Sequence, residues 1–486
     1  MKRIIFSFSI GLLCVVSTRA QNEVDAMRYS QLSFGGTARF TAMAGSMSAL
    51  GGDISTLSFN PAGIGIFRKT EFTITPAVFS QNTASFMNKT SGSDQKLDFN
   101  INNIGMVTTF KLKDTTSGWE NLNFGFGFNR TNNFNNRIDI DGGYNTTSSL
   151  LDVYTDQANG SKPKDFDQFT TNLAYQAYLI NPIDSINPNL IYYNALSGYG
   201  KAQRKTIDVE GRMGETVLSF GGNYRNTLFV GATVGFVKVT YGEAVVYTET
   251  DKKNTIPYFK SFTLNQNLYS KGTGINFKIG LIYKPADWIR VAAAIHTPTR
   301  ISMADVYSNE IKSDLEDNYK YDKTSPTGNF NYSIVTPFRV IGGLGFIISK
   351  RALLNAEYEY VDYRYAQIHS KPESFAAVNK GIRNYYSATG NLRVGGEIRF
   401  EPISVRAGFA FYDSPFRPIA GDNQFASRYS YTAGLGYRHN NFFMDFAYVL
   451  TTYTDYGYLY NPSYMKLSYR NDYTLSNFLL TFGFRF

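Results

Sequence analysis

Split by parity, the closing residues YTLSNFLLTFGFRF place Phe478, Leu480, Phe482, Phe484 and Phe486 on one face and Asn477, Thr481, Gly483 and Arg485 on the other. Alternation with period two makes a strand with one apolar and one polar face. The split recurs upstream. Leu392, Val394, Ile398 and Phe400 oppose Asn391, Arg393, Glu397 and Arg399; Leu354, Ala356, Tyr358 and Tyr360 oppose Asn355, Glu357 and Glu359. About fourteen such segments run from Thr70–Phe79, Ile101–Lys111 and Leu122–Asn132 to Phe442–Tyr453 and Tyr473–Phe486.

The connections alternate in length. Arg225-Asn226, Lys284 to Asp287, the break near Lys350, Glu401-Pro402 and Asn440-Asn441 are tight, while the links between them are long. Short turns on one side and long loops on the other characterise a bacterial outer-membrane barrel, whose apolar face points to lipid. The expected fold is therefore all-β: a transmembrane antiparallel β-barrel of about 14 strands, occupying residues 69–486. Closure also removes the two edge strands that would invite aggregation. The longest loop, about 133–205, contains SSLLDVYTDQ and FTTNLAYQAYLINPID. Its apolar spacing suggests short amphipathic helices forming an external lid.

The N-terminus reads differently. Lys2 and Arg3 precede an apolar run from Ile4 to Val16, and Thr18 and Ala20 are small, so residues 1–20 read as a secretory signal cleaved after Ala20. Leu13 before Cys14 argues against lipidation. Removing the signal lowers the net charge from +9 to +6 and takes away Cys14, the one cysteine. No basic cluster of the kind nucleic acid requires remains, nor disulfide or thiolate chemistry. His296, His369 and His439 are scattered singly, so no metal or cofactor is expected.

Residues 21–68 carry no strand pattern. In ISTLSFNPAG, Asp53 or Ser55 can cap a short helix, Asn60 before Pro61 favours an extended exit, and Gly63 permits a sharp turn. TARFTAMAGSMSALGGDISTLSFNPAGIGIF (Thr37 to Phe67) resembles the N-terminal segment of FadL-type outer-membrane transporters, which include long-chain fatty acid and toluene channels. Ala38-Arg39, Met43, Ala44-Gly45, Asp53 and Asn60-Pro61-Ala62-Gly63 carry the likeness. FKIGLIYKPADWIRVAAAIHTPT (Phe277 to Thr299), LRVGGEIRF to ISVRAGFAFYDSPF (Leu392 to Phe416) and SRYSYTAGLGYR (Ser427 to Arg438) are similar to later hairpins of that family.

The resemblance implies that residues 21–68 form a hatch inside the barrel, with Asp53, Asn60, Pro61, Ala62 and Gly63 as hatch or gating residues. It also implies a lateral wall opening at an inward kink of the third strand. There NLNFGFGFNR turns Phe124, Phe126 and Phe128 to lipid and Gly125 and Gly127 to the lumen. A strand glycine marks a bulge or a close approach, so these two either shape the opening or make room for the hatch. The family's best-known ligand-capturing loops lie elsewhere than the 133–205 loop.

The expected function is passive uptake of hydrophobic molecules such as fatty acids or aromatics across the outer membrane of a Gram-negative bacterium. The expected partners are the ligand, outer-membrane lipid and lipopolysaccharide, and the barrel-assembly machinery through Phe486, with the protein a monomer. The inward Arg and Glu residues keep open a porin-like solute channel. A lipid-acting enzyme would need His296, on the lumen face with Arg290, to find a nucleophile, and no G-x-S-x-G elbow is present.

Overall fold

The computed structural model describes residues 22–113, 116–184, 190–349, 351–371 and 373–486. The signal-peptide reading of residues 1–20, with Cys14 and Ala20, lies outside the described residues, as does Lys350.

The wall is a closed antiparallel barrel of fourteen strands, numbered here in chain order. They are β1 Glu71–Met87, β2 Thr90–Lys111, β3 Trp119–Asn133 continued by Asn136–Asn145, β4 Lys201–Tyr224, β5 Leu228–Thr250, β6 Phe259–Ala286 and β7 Ile289–His296 continued by Arg300–Leu315. The remainder are β8 Gly328–Val335 continued by Arg339–Ile348, β9 Ala352–Asp362 continued by Gln367–His369, β10 Ala388–Phe400, β11 Ile403–Tyr412, β12 Arg428–His439, β13 Phe442–Gly457 and β14 Tyr469–Arg485. β14 returns to β1 through a ladder from Glu71↔Arg485 to Phe86↔Arg470.

The parity reading gives the faces. Phe126, Phe220 and Ile279 are 53%, 56% and 69% exposed on the outside, whereas Arg393, Arg406 and Glu397 are buried inside. Strand edges differ most at β1, β2 and β3, the last of which continues through Asn136–Asn145, inside the stretch 133–205 that was expected to be loop. The stretch from Ser80 to Asn100, expected as a loop, continues β1 and β2 into one long hairpin that turns at Asn88 with φ 54°. Beyond the lipid band both faces of a strand can be polar, so from Asn82 to Lys96 the alternation that marks a membrane strand fades, while Leu97 and Phe99 still point outward.

The β3–β4 connection folds as a cap. It contains α3 Leu150–Ala158, α4 Thr171–Gln176 and a small hairpin pairing Ile180–Pro182 with Tyr192–Asn194. Ser149 caps α3, and the Glu249 carboxylate at the end of β5 accepts from Ser149 Oγ (2.6 Å) and Leu150 N (2.9 Å). Leu151, Leu173 and Ala174 pack with Tyr247, Phe259, Phe262 and Leu459 in one apolar cluster over the long-loop mouth.

Inside the barrel lie α1 Glu23–Ser30, α2 Ala38–Ala42 and two 3-10 helices, Ile54–Ser58 and Pro61–Ile66. Irregular backbone at membrane depth is tolerated where protein encloses it. Side chains satisfy the helix ends here: Asn22 with Asp25 in a capping box, Thr37 on Phe40 N, Asp53 on Ser55 N and Asn60 on Ala62 N.

Candidate functional site: hatch, lumen cavity and wall interruption

The NPAG stretch is wedged against the wall. Asn60 is fully buried; its Oδ1 accepts from Ala62 N, and its Nδ2 donates to Ser48 O (2.8 Å) and to Leu281 O of β6 (3.3 Å). Asp53 joins two hatch segments, accepting from Ser55 N (2.9 Å) and from Thr37 Oγ1 (2.7 Å). Gly63 does not turn the chain: a Cβ there would lie 2.4 Å from Thr56 Oγ1 and 3.1 Å from the Gly51 Cα, so its role is close approach. The turning falls to Gly51 and Gly52, both with φ above 60° or at it.

The wall beneath these helices is made of glycine. A Cβ at Gly280 would meet Asn60 Oδ1 at 1.9 Å, at Gly231 Pro61 O at 2.2 Å, and at Gly105 Ile54 Cγ2 at 2.7 Å. Gly125 would meet Leu57 and Ile64, and Gly127 faces Ile54, so both sit under the hatch. Opposite, the hatch meets buried charges. Arg39 Nε donates to Glu397 Oε2 (2.8 Å), which also holds Arg406 (2.6 Å), and Arg406 reaches Asp445 (2.6 Å). Glu357 accepts from Ser48 N and pairs with Arg393, whose guanidinium lies over the Phe59 ring. His296, on the lumen face as expected, bonds through Nε2 to Phe59 O (2.6 Å), so its ring also holds the hatch.

The interruption in the wall lies further along β3 than the two glycines. β2 pairs with β3 from Lys111↔Asn121 only to Asn103↔Asn129. Beyond it the β3–β4 register shifts between Arg130 and Asn132, the strand breaks at Phe134-Asn135, and its continuation passes inside the β1–β2 hairpin. There Thr83 Oγ1, on the inward face of β1, donates to Asn136 Oδ1 (2.9 Å). The hatch residues Gln31 to Gly36 take up the freed edge: Ser33 N donates to Thr131 O (2.8 Å), Asn132 Nδ2 to Gln31 O, and Asn102 Nδ2 to Gly36 O (2.7 Å).

Two hollows meet at this interruption. A lumen cavity of about 530 Å³ lies among Met27, Leu32, Phe34, Phe79, Tyr412 and Leu475. On the outer face, a groove of about 810 Å³ runs past Phe99, Ile101, Phe128, Lys238 and Tyr269. Both are lined by Asn100, Arg130 and Tyr241. Arg130 Nη1 stands 3.7 Å from Asp98, which also accepts from Asn100 and Asn133, while Arg130 Nε and Asn100 Oδ1 have no hydrogen-bond partner among the described residues. On the cavity side α1 supplies Arg28, which pairs with Asp25 and lies 4.2 Å over the Tyr241 ring. Burial pushes the Asp25 carboxyl above its usual range, against the pull of Arg28.

The sequence reading missed Gln31 to Gly36, Asn100 and Arg130. Their signals were faint: a Gly35-Gly36 pair, and the run NRTNNFNN, whose loss of alternation marks the end of a regular strand.

No family model matches the sequence, and no curated protein does. Solved structures do match in fold. One is a Pseudomonas aeruginosa FadL homologue, at 13% identity over 94% of this chain and 99% of that one, TM-score 0.58. Another is the P. putida toluene transporter TodX, at 12% identity, 93% and 99%, TM-score 0.54. The Ralstonia pickettii toluene transporter TbuX aligns at 13% identity, 93% and 99%, TM-score 0.51. The chain has the barrel-and-plug fold of these FadL-type proteins.

Proposed function

We propose that this protein is an outer-membrane channel for passive uptake of hydrophobic molecules, with long-chain fatty acids and small aromatics as the candidate classes. The observation that carries this reading is the meeting of a lumen cavity with an outer-face groove at a break in the wall, around Asn100, Arg130 and Tyr241. An apolar ligand crosses the polar lipopolysaccharide layer poorly; a path into the barrel and out sideways spares it the aqueous periplasmic mouth. The names of the fold's neighbours, a FadL homologue and two toluene transporters, support the same reading.

Large apolar side chains exposed along the outer face, Phe124, Phe126, Phe220 and Ile279 among them, are what a lipid-facing wall requires. They support a location in an outer membrane; a Gram-negative cell, contact with lipopolysaccharide and a monomeric state belong to the same proposal. Phe486, exposed beyond β14, is the residue assigned to the assembly machinery. In the transport reading, Arg39 and Ser48, bonded to Glu397 and Glu357, hold the hatch in place, Asn60 to Gly63 pack against the glycine side of the wall, and Gln31 to Gly36 are the hatch's moving edge.

The test is uptake of labelled oleate and labelled toluene by cells lacking transporters of their own. Expression should raise accumulation of at least one. No gain, with the folded barrel verified in the outer membrane, would sink the proposal. Planar-bilayer recording separates it from a porin: the hatched barrel should be nearly silent, whereas an open pore conducts steadily.

A further inference from the structure

On the far side of the hatch from the lumen cavity, at the mouth formed by the short turns, wall and hatch line a further open pocket of about 510 Å³. It shares no lining residue with the lumen cavity. Its charge is one-sided. Among the described residues that line it, seven are basic and Glu71 is the one acid. Three of the bases are compensated: Arg485 by Glu71 (2.6 Å), and Arg39 and Arg399 by Glu397 behind the pocket (2.8 and 2.7 Å).

Four are not. Arg68, Lys69, Arg290 and Arg438 have no carboxylate within ion-pair distance among the described residues, and turn to neutral acceptors or to none. Arg68 donates to the Asn121 and Asn226 side chains, Lys69 to Asn441 Oδ1 (3.3 Å) and Arg290 Nη1 to Leu50 O (2.7 Å). The Nε atoms of both Arg290 and Arg438 are buried without an acceptor among the described residues. A buried guanidinium N–H without a partner carries an unrecovered desolvation cost, and neighbouring like charges add repulsion. An oxyanion would relieve both, and guanidinium forks match carboxylate and phosphate geometry.

The rest of the lining is apolar. Leu50, Ile66, Ile347 and Leu353 stand beside the cations, a surface that inorganic anions would not use but an acyl chain would. We infer that this pocket binds an amphiphilic oxyanion, its carboxylate or phosphate head on Arg68, Lys69, Arg290 and Arg438 and its tail against those four aliphatic side chains. The head has two sources: a free acyl carboxylate, or the phosphate of a phospholipid. The site does not depend on the transport reading.

The experiment is calorimetric titration of the full-length protein, in nanodiscs of zwitterionic lipid, with decanoate, decyl phosphate, decanol and inorganic phosphate. At least one decyl anion should bind saturably, decanol should not, and inorganic phosphate should bind at least ten-fold more weakly. Tighter binding of decanoate assigns the acyl carboxylate; tighter binding of decyl phosphate assigns the phospholipid head. Arg290→Gln with Arg438→Gln should weaken the decyl anions at least ten-fold, and the Lys pair at those positions should recover part of the loss. Arg68→Gln with Lys69→Gln, at exposed positions that leave the fold intact, should weaken them several-fold and decides the matter if the first pair fails to assemble. Unchanged binding in the variants, equal binding of decanol, or inorganic phosphate as tight as decyl phosphate would overturn the site.

Discussion

The hatch is held differently on its two sides. Towards β2 to β6 the wall offers Gly105, Gly125, Gly231 and Gly280, and contact is backbone and side chain laid directly on backbone. Towards β9 to β13 it offers Glu357, Arg393, Glu397, Arg406 and Asp445, all buried and paired. The interruption at Arg130 lies on the glycine side, beside β2 to β5. Dispersion contacts are lost a little at a time as surfaces slide, whereas a buried ion pair that loses one partner leaves an uncompensated charge. The charged side is therefore the fixed side, and any movement that widens the gap costs least where the glycines are.

The difference can be broken from either side. Glu397→Ala strands Arg39 and Arg399 and leaves Arg406 to Asp445 alone, and should cost about 3–5 kcal/mol; the hatch should come loose and steady conductance should appear in planar bilayers. A variant as silent as its parent would show that the charges do not anchor the hatch. Gly231→Leu places a Cβ 2.2 Å from Pro61 O, and neither backbone can yield cheaply, so about 1–3 kcal/mol of docking should be lost. Limited proteolysis should then cut the hatch while leaving the barrel whole.

Smaller effects probe the gap itself. Arg130→Ala removes the side chain shared by cavity and groove; ligand uptake should change several-fold with no conductance, whereas uptake equal to the parent would place the path elsewhere. The mildest change is Gly125→Ala. Its methyl meets the flexible ends of Leu57 and Ile64 at 2.9 and 3.0 Å, so a loss of about 1 kcal/mol, the low end of overpacking, should appear as a small fall in Tm.

The wall was legible because a lipid face admits few polar residues, so parity in segments such as Leu392–Phe400 reports orientation directly. The hairpin from Ser80 to Asn100 was not, since outside the lipid band Asn82, Asp94 and Lys96 face no apolar environment that would enforce alternation. Inward Arg and Glu were recognised one by one, but joining Arg39 to Glu397 requires the register that brings residues 358 apart together. In the hatch, Asp53 and Asn60 appear as the caps their residue types suggest, because a cap is a local device. Gly63 differs because close approach depends on Thr56 and Gly51 arriving from another turn of the chain. Arg130 drew no notice in a run of asparagines, where neither strand nor loop chemistry dominates.

The position of Arg130 along its strand also sets a height. It stands 11 residues beyond Trp119, where β3 leaves the short-turn side. At about 3.3 Å per residue and a tilt near 40°, that is roughly 28 Å of climb, against an apolar band about 25 Å tall. On the transport reading proposed above, the gap opens level with the headgroup boundary of the external leaflet. A molecule leaving sideways there is delivered to one monolayer, and its arrival at the inner one becomes a matter of lipid flip-flop, outside the barrel's control.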